Sequence, residues 1–192
     1  TTRLQPVVLQ IGQAAGALAA ISVKKKIPVG TVDIRLVQDA ILEAKGYLLP
    51  YLDYPVEHPW FQSLQRIGST GILKGIGKNA GWSNQTWFRA ETFLLYKDLK
   101  GLLDVYPSAG EFTSENTVTV DAAIKLLEKI ARKEKLSVSE KLKKEAFDKA
   151  FRSGPVDTKR NITRGEMAVL IDILLDPFHH KPVDIKGNFI KN

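Results

Sequence analysis

The 192-residue chain contains 44% hydrophobic and 26% charged residues, a balance typical of a soluble globular protein. It contains no cysteine, which excludes disulfides, thiolate metal sites and a cysteine nucleophile. The formal net charge is +7, but basic and acidic residues are interspersed, as in the run from Lys125 to Glu134. Because mixed charges of this kind form solvated helix faces, we predict no tight binding of nucleic acid.

An uncharged stretch of small and apolar residues, Gln5 to Val23, begins the chain. Gly12, Gly16 and Ala20 fall on neighbouring faces of a helix and would let another element pack closely. Three interpretations are open: a buried core helix, a membrane span, and a helix whose N-terminus faces an anionic cofactor. The length suits a bilayer, but the glutamines and the many small residues argue against a span, and we predict none. The third interpretation depends on the attraction of a helix N-terminus for anions.

Motifs in this stretch and just after it carry a resemblance to a known family. They are Arg3-x-Gln5-Pro6, Ile11-Gly12-Gln13-Ala14-Ala15-Gly16, Ala19-Ala20, Val32-Asp33-Ile34 and Val37-Gln38. Together they resemble the last flavin-contacting helix, and the segment after it, of a family of bacterial FAD-dependent oxidoreductases. The family's flavin site also needs a Gly-rich βαβ turn and an acidic residue for the ribose, and neither occurs in this sequence. The resemblance therefore implies the C-terminal piece of a longer flavoprotein, whose flavin domain on the same polypeptide would be its partner.

The same resemblance implies a set of flavin-proximal residues: Arg3, Gln5, Gly12, Gln13 and Ala14. The backbone from 12 to 14 would face the electron-rich edge of the flavin, and Arg3 would add positive charge. We expect FAD in the intact parent protein. The isolated chain offers at most one helix end to a dinucleotide, so we expect it to bind no cofactor and to be inactive.

A second helix is predicted from the residues that follow. Thr31 or Asp33 would cap it, it would run to about Lys45, and Gly46 occupies the expected C-cap position. Two prolines between residues 47 and 57 then mark an extended linker. We therefore assign residues 1–50 to the helices of the flavin domain and residues 51–192 to a separate helical domain.

The second domain contains an internal repetition. A helix opening at His58-Pro59-Trp60-Phe61 is followed by a glycine-rich turn, a polar loop between Trp82 and Trp87, and a helix from Phe88-Arg89-Ala90-Glu91 to about Leu103. This order resembles the S-layer homology repeat. Its closing part recurs at Ile162-Thr163-Arg164-Gly165-Glu166 and, more weakly, at Val118-Thr119-Val120-Asp121-Ala122. Repetition of this kind predicts stacked helical hairpins, so the expected fold is all-α, a multi-helix protein with S-layer-homology-like repeats.

The repeated Thr-Arg-x-Glu has a structural interpretation. Thr163 and Glu166 match a capping box, as do Ser137 and Glu140, and Arg–Glu pairs would be buried between helices. The alternative is a module that binds cell-wall or other polysaccharide. That module would expose at least one of the three tryptophans, Trp60, Trp82 or Trp87, whereas a purely structural interaction domain would bury them.

No catalytic motif is present in the sequence. It contains no nucleophile elbow, no His-Glu helix motif and no phosphate loop, so we predict no catalytic residue. His179 and His180, with Asp176 and Asp184 nearby, lack zinc-type spacing, and we predict no metal site. No signal peptide is visible, and the sequence leaves the compartment open, including export to the periplasm or the cell surface.

Overall fold

The structure is a computed structural model that describes residues 5–110, 114–152, 154–184 and 187–190. Its contacts divide the chain into two units. The smaller consists of Thr1–Leu48 together with Lys181–Asn192, and the larger is Leu49–His180.

Two helices dominate the smaller unit. The uncharged stretch forms α1 (Gln5–Lys25), which ends where Lys26 adopts a left-handed conformation with φ of 55°. A short 3-10 helix (Val29–Thr31) leads to α2 (Ile34–Glu43), which packs against α1. Asp33 caps α2, because its carboxylate accepts a hydrogen bond from the backbone N–H of Arg35 at 2.9 Å.

The end of α2 differs by one residue from the expected cap. Lys45, with φ of 59°, takes the left-handed position, and Gly46 follows it. The Gly46 N–H donates to the Ile41 carbonyl at 2.8 Å, which closes the last turn. A Cβ at Gly46 would lie 2.7 Å from the Ile41 side chain, so glycine is required here by close approach and not by its backbone angles.

The larger unit is built around one helix that is buried along nearly its whole length, α7 (Arg164–Leu174). Apart from Arg164, Glu166 and Asp172, its residues are apolar or glycine, so it can be covered on most sides, and α3, α5 and α6 pack against it. The other elements are α3 (Phe61–Thr70), β1 (Ile76–Ala80), β2 (Ser83–Trp87), α4 (Lys100–Val105), α5 (Val120–Lys133), α6 (Glu140–Phe151) and α8 (Pro177–His180). Short 3-10 helices occur at Tyr96–Leu99 and Pro107–Ala109.

The all-α prediction is wrong, because the segment around Trp82 is a β-hairpin. β1 and β2 pair antiparallel, with Ile76 opposite Trp87 and Ala80 opposite Ser83. The two-residue loop has φ of 61° at Gly81, its first position, as in a type II′ turn. The fold is therefore mixed, helical with a two-stranded antiparallel sheet. The strands escaped prediction because most of their residues are polar and exposed, without the apolar alternation that identifies a half-buried strand.

A second correction concerns the helix expected to start at Phe88. The chain from Phe88 to Leu95 is not helical, and Arg89 has φ of 56°. The Asp53 carboxylate holds this segment by accepting from the backbone N–H groups of Phe88 at 2.9 Å and Arg89 at 2.6 Å. The helical turn begins only at Tyr96.

Three segments meet in a ring of backbone hydrogen bonds at the centre of the larger unit. Leu94 N–H donates to the Ile162 carbonyl, Ile162 N–H to Val118, and Val118 N–H to Leu94, each at 2.9 Å. All three side chains are fully buried. The ring therefore relates the three segments by an approximate threefold arrangement.

The next layer of hydrogen bonds repeats this arrangement and fixes the register of the three segments. Tyr96, Val120 and Arg164, each two residues beyond a ring residue, donate to carbonyls of Asn116, Arg160 and Thr92 at 2.9–3.1 Å. The residues equivalent to Thr163 are thus Thr119 and Leu95. The sequence analysis matched Phe88-Arg89-Ala90-Glu91 to Thr163-Arg164-Gly165-Glu166, which places Phe88 opposite Thr163, and this match is therefore wrong by seven residues.

Capping explains why two of the three segments continue as α-helices. The Thr163 box is confirmed: its hydroxyl accepts from Glu166 N–H at 3.2 Å, and the Glu166 carboxylate accepts from Thr163 N–H at 2.9 Å. The Ser137 box is wrong. The residue that caps α6 is Ser139, whose hydroxyl accepts from Leu142 N–H at 3.2 Å, because the helix begins two residues later than the box requires.

Candidate functional site: the α1 surface and the Arg164 cleft

The first candidate site is the open side of α1. Large apolar side chains on this helix are exposed: Val8 at 52%, Leu9 at 73%, Ile11 at 58% and Val23 at 78%. Among the described side chains of α1, the partly or fully covered ones are those of Val7, Ala14, Ala17, Leu18, Ile21 and Ser22. Within its own unit, α1 is therefore not a buried core helix. The described residues of that unit leave an apolar surface on the helix uncovered.

The same helix meets the simplest criteria for a membrane span. Val7–Lys25 is long and apolar enough by length and composition, with a mean hydropathy of 1.4, although core helices and signal sequences satisfy the same criteria. The absence of a span stays a prediction.

The structure describes three of the five predicted flavin-proximal residues in full, Gly12, Gln13 and Ala14. Arg3 lies outside the described residues, and Gln5 begins α1 with its side chain outside them. Gly12 is exposed, and no atom lies within 4 Å of the position that a Cβ there would occupy. Gln13 reaches the end of α2, with its amide nitrogen 3.0 Å from the Cβ position of Gly46. Ala14 is one of the partly covered residues.

This placement limits what the helix can offer a cofactor. Residues in an α-helix are about 100° apart around the axis, so Gly12 and Ala14 lie on nearly opposite faces. Gly12 also lies beyond the first helical turn. Its N–H is therefore bonded within the helix and cannot donate to a ligand. The open space at Gly12 and Gly16 nevertheless fits a group that packs directly on the helix backbone.

The second candidate site is a cleft of about 400 Å³ in the larger unit, lined in part by Lys74, Asp98, Lys100, Asp104 and Arg164. Arg164 is 6% exposed and is held by its neighbours. Its guanidinium donates to the carbonyls of Lys74 at 2.8 Å and Phe88 at 3.3 Å, and lies 3.5 Å from the Asp98 carboxylate. Burial lowers the pKa of Arg164, and Asp98 opposes that shift.

These contacts favour a structural role for the Thr-Arg-x-Glu motif. Arg164 joins the start of α7 to the segments around Lys74 and Phe88. Glu166 pairs with Arg160, which lies in the loop before α7, through contacts of 2.7 and 3.0 Å. The sequence predicted buried Arg–Glu pairs. It gave no signal that Arg160 is the partner of Glu166, because the two residues are six apart in the chain and belong to no shared motif.

The three tryptophans separate the structural and polysaccharide interpretations. Trp60 is 4% exposed and packs against Gly165, where a Cβ would lie 2.5 Å from its ring. Trp87 is half-buried in β2. Trp82, at the tip of the hairpin, is fully exposed at 108%. Trp60 therefore serves the core, and Trp82 alone of the three presents an entire ring to solvent.

Titratable side chains do not assemble into a metal site among residues 5–110, 114–152, 154–184 and 187–190. His179 instead contacts Asp176 through Nδ1 and Oδ1 at 2.6 Å, within the turn that begins α8. His179 therefore has a local hydrogen-bond partner near it in the chain.

Comparison with known proteins adds one match. A family model described as FAD dependent oxidoreductase matches residues 1–41, which comprise α1 and most of α2. It supports a relationship of this stretch to the FAD-dependent oxidoreductase family. No curated protein and no solved structure matches the chain.

Proposed function

We propose that the chain is the C-terminal helical portion of an FAD-dependent oxidoreductase and serves that enzyme as a structural or accessory element. The observation that carries this proposal is the family match over residues 1–41. In the parent enzyme FAD would supply the redox chemistry, and this chain would contribute surface and no catalytic residue. Residues 1–50 would complete the flavin domain, and residues 51–192 would form the attached domain.

The exposed side of α1 supports this proposal. Val8, Leu9, Ile11 and Val23 each keep more than half of their surface in water. Full burial of such a side chain contributes about 1.5–3 kcal/mol, so a cover over this face would be strongly favoured. The flavin domain of the same polypeptide is the cover that the family match points to.

The predicted flavin-proximal residues divide into two groups in this proposal. Arg3 and Gln5 lie at or before the start of α1, where positive potential and free N–H groups favour an anionic part of the cofactor. Gly12, with Gln13 and Ala14 beside it, would offer close approach to the helix backbone, because nothing occupies the space above Gly12.

The experiment is a comparison of bound flavin in two purified proteins, the 192-residue chain and the full-length polypeptide that contains it. We expect the visible absorbance of bound flavin only in the full-length protein. The isolated chain offers one helix terminus, which contributes at most about 2 kcal/mol towards an anion. A full-length protein without bound flavin would contradict the proposal. Flavin bound to the isolated 192-residue chain would contradict the structural or accessory role that the proposal gives to this chain.

A second candidate function, polysaccharide binding, is favoured by the exposure of Trp82. An exposed aromatic ring at the tip of a tight hairpin offers an apolar face on which the C–H face of a sugar can stack. The test is co-sedimentation with purified cell-wall polysaccharide. Trp82→Ala should abolish it and Leu52→Ala, at another exposed apolar residue, should not. Equal co-sedimentation of the two variants would remove this candidate.

A further inference from the structure

A cavity of about 380 Å³ opens on the larger unit, between α5 and α6. Its walls are mostly apolar and include Ile124, Ala131, Leu136, Val138, Phe147 and Leu174. Ala131 and Leu174 are buried, whereas the other four are only half-buried and keep apolar surface in contact with water. The volume falls in the range of small-molecule pockets, and the walls have the composition of one.

The rim of the cavity carries both cations and carboxylates. Lys143 lies 3.0 Å from the Glu140 carboxylate and 3.6 Å from that of Glu128, so its charge is compensated. Arg132 also lines the cavity, and its Nε donates to the backbone carbonyl of Glu128 at 3.3 Å. Arg132 has no carboxylate partner among the residues that the structure describes. Of these two rim cations, Arg132 is thus the one that lies beyond ion-pair distance of a described carboxylate.

We propose that this cavity binds a small amphipathic carboxylate, with its hydrocarbon chain between α5 and α6 and its carboxylate paired with Arg132. A water molecule occupies about 30 Å³ in the liquid, so the cavity holds roughly ten non-hydrogen atoms. Octanoate has that size. Apolar walls favour its chain, and the unpaired guanidinium at the rim selects an anionic headgroup over a neutral or cationic one. This proposal is independent of the flavin relationship.

The first test compares four ligands on the 192-residue chain by calorimetry and by ¹H–¹⁵N chemical-shift mapping. Octanoate should bind with a dissociation constant of roughly 1 mM or lower. It should bind about two- to fivefold more tightly than octylammonium or octanol, the range expected for one exposed ion pair. Butanoate should bind at least about tenfold more weakly, because each buried methylene raises the affinity by up to about fourfold.

The chemical-shift changes caused by octanoate should centre on Ile124, Leu136 and Phe147. Equal binding of octylammonium, or shifts spread over the surface, would overturn the proposal.

Variants then test the location. Arg132→Gln should weaken octanoate about two- to fivefold and leave octanol unchanged. Lys125→Gln removes the same charge from the same helix, at a residue paired with Asp121 outside the cavity, and should change neither. Ala131→Met, which fills the cavity, should abolish binding of both ligands. Because Arg132 is exposed, the charge comparison does not depend on how the core accepts methionine. Unchanged octanoate binding in Arg132→Gln would refute the assignment.

Discussion

His58 sits where two hydrogen-bond donors face one imidazole ring. The backbone N–H of Trp60 donates to Nδ1 at 3.1 Å, and the Arg152 guanidinium lies 2.9 Å from Nε2. A neutral imidazole has one acceptor nitrogen, and an imidazolium has none. The ring also lies edge-on to Tyr54, with centroids 4.8 Å apart. Burial lowers the pKa of His58, Arg152 lowers it further, and Glu91 opposes both.

The pH dependence of stability follows from that arrangement. Because the pKa is lower in the folded state than the value near 6.5 expected for the unfolded state, the folded protein binds fewer protons. The stabilisation by neutral His58 is therefore complete above about pH 6.5 and is lost as the pH falls through the folded-state pKa. Urea midpoints at about pH 7.5 and 5.5 should differ less in His58→Gln than in the wild type. Identical pH dependence in His58→Gln would show that His58 does not titrate in this way.

The Thr163 cap allows a direct stability measurement. Thr163→Ala removes the hydroxyl that accepts from Glu166 N–H at the start of the central helix. We expect a loss of about 1 kcal/mol, the usual cost of removing such a cap. Thr158→Ala, at an exposed threonine in the preceding loop, is the matched control and should stay within about 0.5 kcal/mol of the wild type. Equal denaturant midpoints for the two variants would argue against the cap.

At the scale of the elements, sequence patterns identified most helices but not the hairpin. Apolar or amphipathic runs with clear caps, such as those of α2 and α7, carry their signal locally. β1 and β2 carry little local signal, since their pairing depends on backbone hydrogen bonds and on the turn at Gly81. The segment from Phe88 to Leu95 has helix-compatible residues, but Asp53, distant in sequence, holds its backbone.

The ring residues give a test of the corrected register. Leu94 is fully buried, whereas its neighbour Phe93 is 57% exposed. Leu94→Ala should destabilise the protein by about 2–5 kcal/mol, the range for a buried leucine, and Phe93→Ala by much less. The free energies of unfolding from urea titrations check this. A larger loss at Phe93 than at Leu94 would mean that the register is not the one described.

At the scale of the whole molecule, the sequence predicted a repetition along the chain but not which three segments meet in the ring of hydrogen bonds. The three segments around Leu94, Val118 and Ile162 are separated by unequal intervals, and only the third has both Thr and Glu of the capping box. The equivalence became visible through the hydrogen bonds that connect them. The candidate flavin residues came from family resemblance, and no local pattern could supply them, because their role depends on a surface that would contact α1 from outside.

The proposal that α1 contacts the flavin predicts that one substitution, Gly12→Leu, has opposite effects in the isolated chain and in the full-length flavoprotein. Gly12→Leu should stabilise the isolated chain by up to about 1 kcal/mol, because leucine is a better helix former and the space there is empty. In the full-length flavoprotein the same side chain would enter the space proposed for the cofactor. Gly77→Leu, at a strand glycine with equally open surroundings, is the matched control.

The decisive measurement is the ratio of bound flavin to protein in the full-length Gly12→Leu and Gly77→Leu proteins. The proposal predicts that Gly12→Leu loses most of its flavin while Gly77→Leu keeps it. Full flavin occupancy in both variants would contradict the placement of α1 against the cofactor.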